Sequence, residues 1–314
     1  MSVHGHYWTV RPILVHRLRP IPPPPCETFR LLRHDADGRE VPITGFLTRA
    51  DPDRLLLLVH GLGGSAESLY LRRSARLAQA RGVSALRINL RGADGSGCDF
   101  FHAGLTEDLH ALLASAELAA YRQIFILGYS VGGHVVLRLA TEPLDPRVRA
   151  VAAICSPLDL DATVTDFDRP GAWAYRRHVF RGLFAHYEAI ARQRPVPTPV
   201  EVLRQVRSLR QLDSLTVVPR FGFGTAENYY AEVSVGPRLG QLKKRALLVA
   251  TEEDPMVTAR SVRSGLAAAG SSDQLEVVWS ERGGHVGFPP GVDLGLGASG
   301  PIDAQVHHWL LRHG

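Results

Sequence analysis

Gly128-Tyr129-Ser130-Val131-Gly132 places a serine between two glycines, directly after an apolar run and directly before a stretch with helical spacing. A strand that turns at once into a helix crowds its own backbone, so the flanking residues must be small. The turn lifts the serine hydroxyl above the sheet edge, and the helix N-terminus points N–H groups at developing negative charge. That combination suits nucleophilic attack on an acyl carbonyl. A serine hydroxyl is a weak nucleophile until a base takes its proton, so a histidine must lie beyond it, oriented by an acid.

His285 is the base this reasoning selects, in the flexible Gly283-Gly284-His285-Val286-Gly287 stretch after the last expected strand. His178 and His186 fall in a different region, and His307, His308 and His313 lie on or beyond the terminal helix. The acid belongs after the preceding strand, where Ala246–Ala250 runs into Thr251-Glu252-Glu253-Asp254-Pro255. Asp254 is chosen because the following proline pre-bends the loop and the short side chain suits the reach to an imidazole; Glu253 is the second choice. Two N–H donors must hold the oxyanion. One is Val131, directly after the nucleophile, and the other is Leu62 in the glycine loop His60-Gly61-Leu62-Gly63-Gly64-Ser65. His60 itself reads as a structural loop histidine, and Asp94 in Gly92-Ala93-Asp94-Gly95-Ser96-Gly97 as a turn residue.

The elements that must position these residues alternate. An opening strand pair is expected around Thr28–Leu32 and Pro42–Leu47, with Asp37-Gly38 as the turn signal. Then come a wholly apolar strand at Leu55–Val59, a helix over Glu67–Arg81, a strand over Val83–Leu90 and an amphipathic helix over Leu105–Tyr121. Ile124–Leu127 is a buried strand, Val131–Thr141 a helix and Val148–Ile154 a strand. This βαβαβαβ order implies a mostly parallel sheet with right-handed crossovers and helices on both faces. The rhythm stops from Pro157 to Gly240, in an aromatic and largely helical stretch, and resumes with a strand at Ala246–Ala250, a helix at Thr258–Ala269, a strand at Leu275–Trp279 and a helix at Ile302–Leu311. The expected organisation is a lead-in at 1–26, a core made of 27–156 and 241–314, and an inserted, mainly helical cap at 157–240 over the sheet's carboxyl edge. The lead-in reads as an extended spacer because of Pro20 and Pro22–Pro25.

Composition narrows the partners. The chain has 314 residues, 45% hydrophobic, with a formal charge of +5, so one large core or a core plus cap is within reach. The positive charge is almost all arginine, spread along the chain without the basic–aromatic interleaving of a nucleic-acid groove, so no nucleic-acid partner is expected. Three cysteines without framework or ligand spacing fit reduced thiols in the cytoplasm, and the lack of an H-E-x-x-H or paired Cys/His set gives no expected metal. No run is long and apolar enough for an integral membrane segment. Phe221-Gly222-Phe223 and Tyr229-Tyr230 read as packing, with pocket lining as the other possibility.

Taken in order, His60–Ser65, Asn89-Leu90-Arg91-Gly92, the segment from His102 to Leu109, Gly128–Gly133, Asn228-Tyr229-Tyr230, Glu252–Pro255 and Gly283–Phe288 resemble the YheT-like α/β-hydrolases, relatives of the animal ABHD lipid-ester hydrolases. The resemblance runs from about residue 25 to the C-terminus. It implies the α/β-hydrolase fold and hydrolysis of carboxylic esters without a cofactor, carried by the matching Ser130, Asp254 and His285. The small-molecule substrate would be an ester with an apolar acyl or alkyl group. The chain departs from the pattern at Glu253, where the family usually has aspartate, and at His134, where it often has asparagine. His134 reads as structural. Other readings on the same scaffold are an acyltransferase, a thioesterase-like enzyme, or a catalytically silent binding protein.

Overall fold

Every residue of the Leu55–Val59 run is buried, and the run divides itself between two layers. Leu55, Leu57 and Val59 face one core cluster, whereas Leu56 and Leu58 face the other. That two-residue alternation is what a strand covered on both faces requires. Each leucine so buried contributes about 1.5–3 kcal/mol relative to exposure.

A computed structural model describes residues 3–35, 38–97 and 99–314; Asp37 of the expected turn and Cys98 lie outside the described residues. The strands are β1 (Glu27–His34), β2 (Glu40–Thr48), β3 (Arg54–Val59), β4 (Ser84–Ile88), β5 (Gln123–Tyr129), β6 (Val148–Ile154), β7 (Arg245–Thr251) and β8 (Leu275–Ser280). They form one eight-stranded sheet in the order β1-β2-β4-β3-β5-β6-β7-β8. β2 runs antiparallel to both β1 and β4, and the strands from β4 across to β8 are parallel. The chain leaves β3 toward β4 on one side, then returns to β5 on the other. The switch point therefore lies between the carboxyl ends of β3 and β5, where open α/β sheets hold their ligands. Those two ends carry His60-Gly61-Leu62 and Ser130.

The helices are α1 (Val3–Leu18), α2 (Leu69–Ala80), α3 (Glu107–Leu113), α4 (Val131–Leu139), α5 (Leu160–Phe167), α6 (Trp173–Ala191), α7 (Val200–Leu203), α8 (Leu209–Leu215), α9 (Val217–Phe221), α10 (Ala226–Val233), α11 (Ala259–Ala267) and α12 (Ile302–Leu311). Side chains of α3, α4 and α11 pack one sheet face, those of α2 and α12 the other. Between β6 and β7, α5 to α10 gather a third apolar cluster around Phe167, Phe180, Tyr187, Leu212, Tyr229 and Tyr230. An ion pair fastens this helical layer to the loop after β4, and a second, buried pair ties that loop to α3. Arg91 forks onto Asp108 at 2.6 and 3.0 Å, and Arg220 of α9 forks onto Asp99 at 2.7 and 2.9 Å.

Two expectations are corrected. The lead-in contains α1, a helix of 16 residues with Pro12 inside it, ahead of the proline run. Proline removes the bond to the carbonyl four residues back, here that of Trp8, and this carbonyl lies against the backbone of Gly287. Tertiary packing thus offsets the loss that the sequence signals. The helix expected over Leu105–Tyr121 stops at Leu113 and continues only as a short 3₁₀ turn at Ala116–Leu118. The Arg147 guanidinium caps the carbonyls of Leu113, Leu118 and Tyr121, holding the chain out of a continued helix.

Candidate active site

Ser130 sits where β5 becomes α4, with φ 54° and ψ −128°. A non-glycine residue at positive φ costs of the order of 1–3 kcal/mol and persists only where its surroundings over-determine it. Here they do. The Ser130 amide donates to the Ile154 carbonyl at 2.9 Å, and the Ser130 carbonyl accepts from Gly133 N at 2.9 Å and from the Ser156 hydroxyl at 2.8 Å. Side chains at the two flanking glycines are impossible: a methyl at Gly128 would overlap the Gly132 carbonyl and Gly133 Cα, and one at Gly132 would overlap the His60 carbonyl. The turn is thereby pressed against the β3 loop.

From that loop, Gly61 lies directly over the serine, since a Cβ there would stand 3.0 Å from Ser130 Cβ and 3.5 Å from Oγ. The Gly61 amide donates to the Tyr70 hydroxyl at 2.9 Å, and Leu62 follows it along the cavity wall. His60 is fully buried. One ring nitrogen is bonded to the Gly61 carbonyl and the other accepts from the Leu90 amide, so it braces two loops. Burial holds its imidazole down at about 4, hence neutral.

His285 and Asp254 meet in a buried pair, Nδ1 to Oδ2 at 2.9 Å. The other carboxylate oxygen, Oδ1, accepts from the amides of Met256 and Val257 at 2.8 and 2.9 Å, which fixes the carboxylate plane. Of the two candidate acids, Asp254 is the one bonded to His285. His285 stands on a tightly folded loop: Gly284 N donates to the Gly287 carbonyl at 2.7 Å, and Val286 has φ 52°.

Two supports of this loop are not evident from the sequence pattern. The His285 amide donates to Thr9 Oγ1 of α1 at 2.8 Å, and that hydroxyl donates back to the Gly5 carbonyl at 2.7 Å. Cys155, also at positive φ (52°), accepts at its sulfur from the Val286 amide at 3.5 Å. Burial, then the charge of Asp254, push this thiol well above its ordinary range. The helical spacing of Val3, Tyr7, Val10, Leu14 and Leu18 was the available signal for α1; for Cys155 its place at a strand end was the only one. Cys155, Asp254 and His285 bring three ligand atoms within 4.8 Å of one another, a set of residue types that can bind metal. In this arrangement, however, Nδ1 and Oδ2 are committed to each other.

Ser130, Leu62, Val131 and His285 all line one cavity of about 790 Å³ under the helical layer. Its walls are largely aliphatic and aromatic, including Leu160, Phe167, Val179, Leu212 and Tyr229. Tyr229 and Tyr230 therefore both pack and line, and the Tyr229 hydroxyl accepts from the Ala103 amide at 3.0 Å. His134 belongs to the packing: it is fully buried between the carbonyls of Pro157 and Val233, at 2.9 and 3.1 Å. Asp94 serves its turn, accepting from the amide and hydroxyl of Ser96.

Strand order, the serine turn and the histidine loop define one class. Residues 56–291 match the model of the Alpha/beta hydrolase family, and the chain belongs to that family. It is similar to the YheT protein of Escherichia coli (strain K12), named as a candidate esterase, at 28% identity over 82% of this chain and 76% of that protein. It is also similar to the human phospholipase ABHD3, at 23% identity over 86% of this chain and 68% of that one. A third relative is the monoacylglycerol lipase of Saccharomyces cerevisiae (strain ATCC 204508 / S288c), at 22% identity over 77% of this chain but only 56% of the yeast protein. Among solved structures, the Pyrococcus furiosus esterase Pf2001 shares the fold with TM-score 0.51 and 17% identity, over 83% of this chain and 85% of that one. Among the described residues, no helix is long and apolar enough to cross a membrane.

Proposed function

We propose that this chain is a serine hydrolase of carboxylic esters with an apolar acyl or alkyl group, working through Ser130, His285 and Asp254. One observation carries the reading: the strained serine and the acid-bonded histidine open into the same largely apolar cavity. A volume of about 790 Å³ lies within the range of small-molecule pockets, and its lining favours hydrocarbon. The names of the relatives, an esterase candidate, a phospholipase and a monoacylglycerol lipase, point to the same substrate class.

In this mechanism His285 Nε2 takes the Ser130 proton as Oγ attacks the ester carbonyl. Asp254 keeps the Nδ1 proton in place and stabilises the imidazolium without itself being protonated. The N–H groups of Leu62 and Val131 receive the oxyanion; the first N–H groups of a helix have no partner within it, which leaves Val131 free for this task. His285 then protonates the leaving alkoxide. Water, activated by the same histidine, releases the acid from the acyl-enzyme. We treat 27–156 and 241–314 as the catalytic core and 157–240 as a cap that closes the cavity, with Arg220–Asp99 as a fastening between them.

The test is a panel of p-nitrophenyl esters graded by acyl length, run on the native chain and on Ser130→Ala. Turnover should rise from acetate to medium chains, and the variant should lose at least about 10³ in kcat. Free acid should dominate the products even with competing alcohol or thiol acceptors. Full turnover by Ser130→Ala, or none by the native chain on any ester, overturns the proposal.

A further inference from the structure

The outward side of α1 carries an apolar stripe between exposed His4 and Arg17, where an ordinary surface helix is polar. Val3, Tyr7, Val10, Leu14 and Leu18 recur at intervals of four, three, four and four residues, which aligns them on one side of the helix. Their exposures are 83, 54, 38, 50 and 84%, with Ile13 and Val15 exposed on the flanks. The opposite side is fixed to the body: Gly5 abuts the Glu253 backbone, Thr9 bonds the His285 amide, and the Trp8 carbonyl lies on Gly287. The helix cannot roll to hide the stripe without dismantling the histidine loop. At 1.5 Å per residue the stripe is about 24 Å long.

Three further observations say what covers it. Val10, Ile13 and Leu14 both belong to the exposed face and line the cavity that holds Ser130, so the apolar stripe adjoins that cavity. The first acidic residue of the chain is Glu27, whereas Arg11, Arg17 and Arg19 lie in or next to the helix, and Arg11 stacks over Trp8 at 5.2 Å. Trp173, 61% exposed, starts the neighbouring α6, whose Tyr175 is hydrogen-bonded to His6 of α1 at 2.6 Å. Apolar stripe, interfacial aromatics and an excess of arginine over acidic residues within 1–26 are the composition of a helix that lies in the headgroup layer of an anionic bilayer.

We propose that α1 and the adjoining start of α6 are a lipid-docking surface that seats the cavity mouth on an anionic membrane. The helix lies flat in the interface, Val3, Tyr7 and Leu18 entering the acyl boundary while the arginines meet lipid phosphates. The proposal goes beyond the ester-hydrolysis reading and does not need it. It is tested with Ser130→Ala protein, so that docking and turnover are read apart. The full chain is sedimented with vesicles of phosphatidylcholine, and with vesicles containing about one third phosphatidylglycerol, and its mass in solution is followed by light scattering. Binding to the anionic vesicles is expected, weakened by about 0.5 M salt. The variant Val3→Glu/Tyr7→Glu/Leu18→Glu, whose changes are all at exposed positions outside the cavity, should bind at least about tenfold more weakly. In an otherwise native background it should leave turnover of a short soluble ester unchanged. Absence of vesicle binding, or equal binding by the triple variant, overturns the proposal. So does a native dimer, dissolved by the triple variant, that shows no vesicle binding: a second copy of the chain would then be the occupant.

Discussion

Replacing Asp254 by asparagine probes the pair on which the proposed chemistry rests, because both carboxylate oxygens are already engaged. Oδ1 accepts from the amides of Met256 and Val257, and Oδ2 accepts from His285 Nδ1. An asparagine has one acceptor oxygen for these two tasks. If that oxygen stays with the two amides, its NH₂ faces Nδ1 and holds the histidine in the tautomer whose Nε2 already carries a proton. Such a histidine cannot take a proton from Ser130. If the amide flips, its NH₂ meets two backbone N–H donors, a worse arrangement in a buried site. The first outcome is therefore expected, with kcat lowered by about 10⁴, equivalent to about 5.5 kcal/mol of transition-state stabilisation. Shape is conserved, so the melting temperature should move by only a few degrees. The assay is steady-state hydrolysis of a p-nitrophenyl ester, with Glu253→Gln as the companion variant, expected to stay within about twofold of native. If Asp254→Asn keeps more than a tenth of native kcat, or Glu253→Gln collapses, the tautomer reasoning is refuted.

Three further outcomes are expected. Gly128→Ala should lose about 1–3 kcal/mol in urea unfolding, since the three atoms nearest the added methyl are backbone atoms of Gly132 and Gly133, which no side-chain rotation can move; native-like stability would contradict this. Burial holds His60, His134 and His307 at about 4, below the ordinary value near 6.5, so the unfolded chain takes up protons first. Their contribution to stability is complete above about pH 6.5 and is lost as pH falls toward 4, steepening acid unfolding by up to about 1.4 kcal/mol per pH unit for each histidine; urea midpoints that stay flat from neutral pH into this window would contradict it. Thr9→Val removes the acceptor of the buried His285 amide at nearly constant shape. It should lower kcat by about tenfold while KM moves by less than about twofold, and an unchanged kcat would show that α1 does not position the histidine.

Much of the fold was legible because it is written in local patterns. β6 and α12 begin and end where their apolar spacing predicts, and the wholly apolar Leu55–Val59 run is a doubly covered strand. The residues of the proposed chemistry were legible for a different reason: a glycine-flanked serine, an acid loop and a histidine loop each answer a local steric demand. What escaped depends on contacts distant in sequence. The carbonyls that end α3 are capped by Arg147, 34 residues beyond Leu113, and no window around Leu113 contains it. Helix α1 carries a proline, yet it is seated by glycines more than 270 residues away, at Gly284 and Gly287. Thr9 and Cys155 acquire their places beside His285 only once that seating exists.

The proposed role of Ser130 as nucleophile is open to a covalent test. The native chain is treated with a fluorophosphonate bearing an alkyl tail, digested, and the modified residue located by peptide mass spectrometry. A single adduct on Ser130 is expected, blocked by prior incubation with ester substrate and absent in Ser130→Ala. An adduct on any other residue, or none on a folded chain that hydrolyses esters, would contradict it.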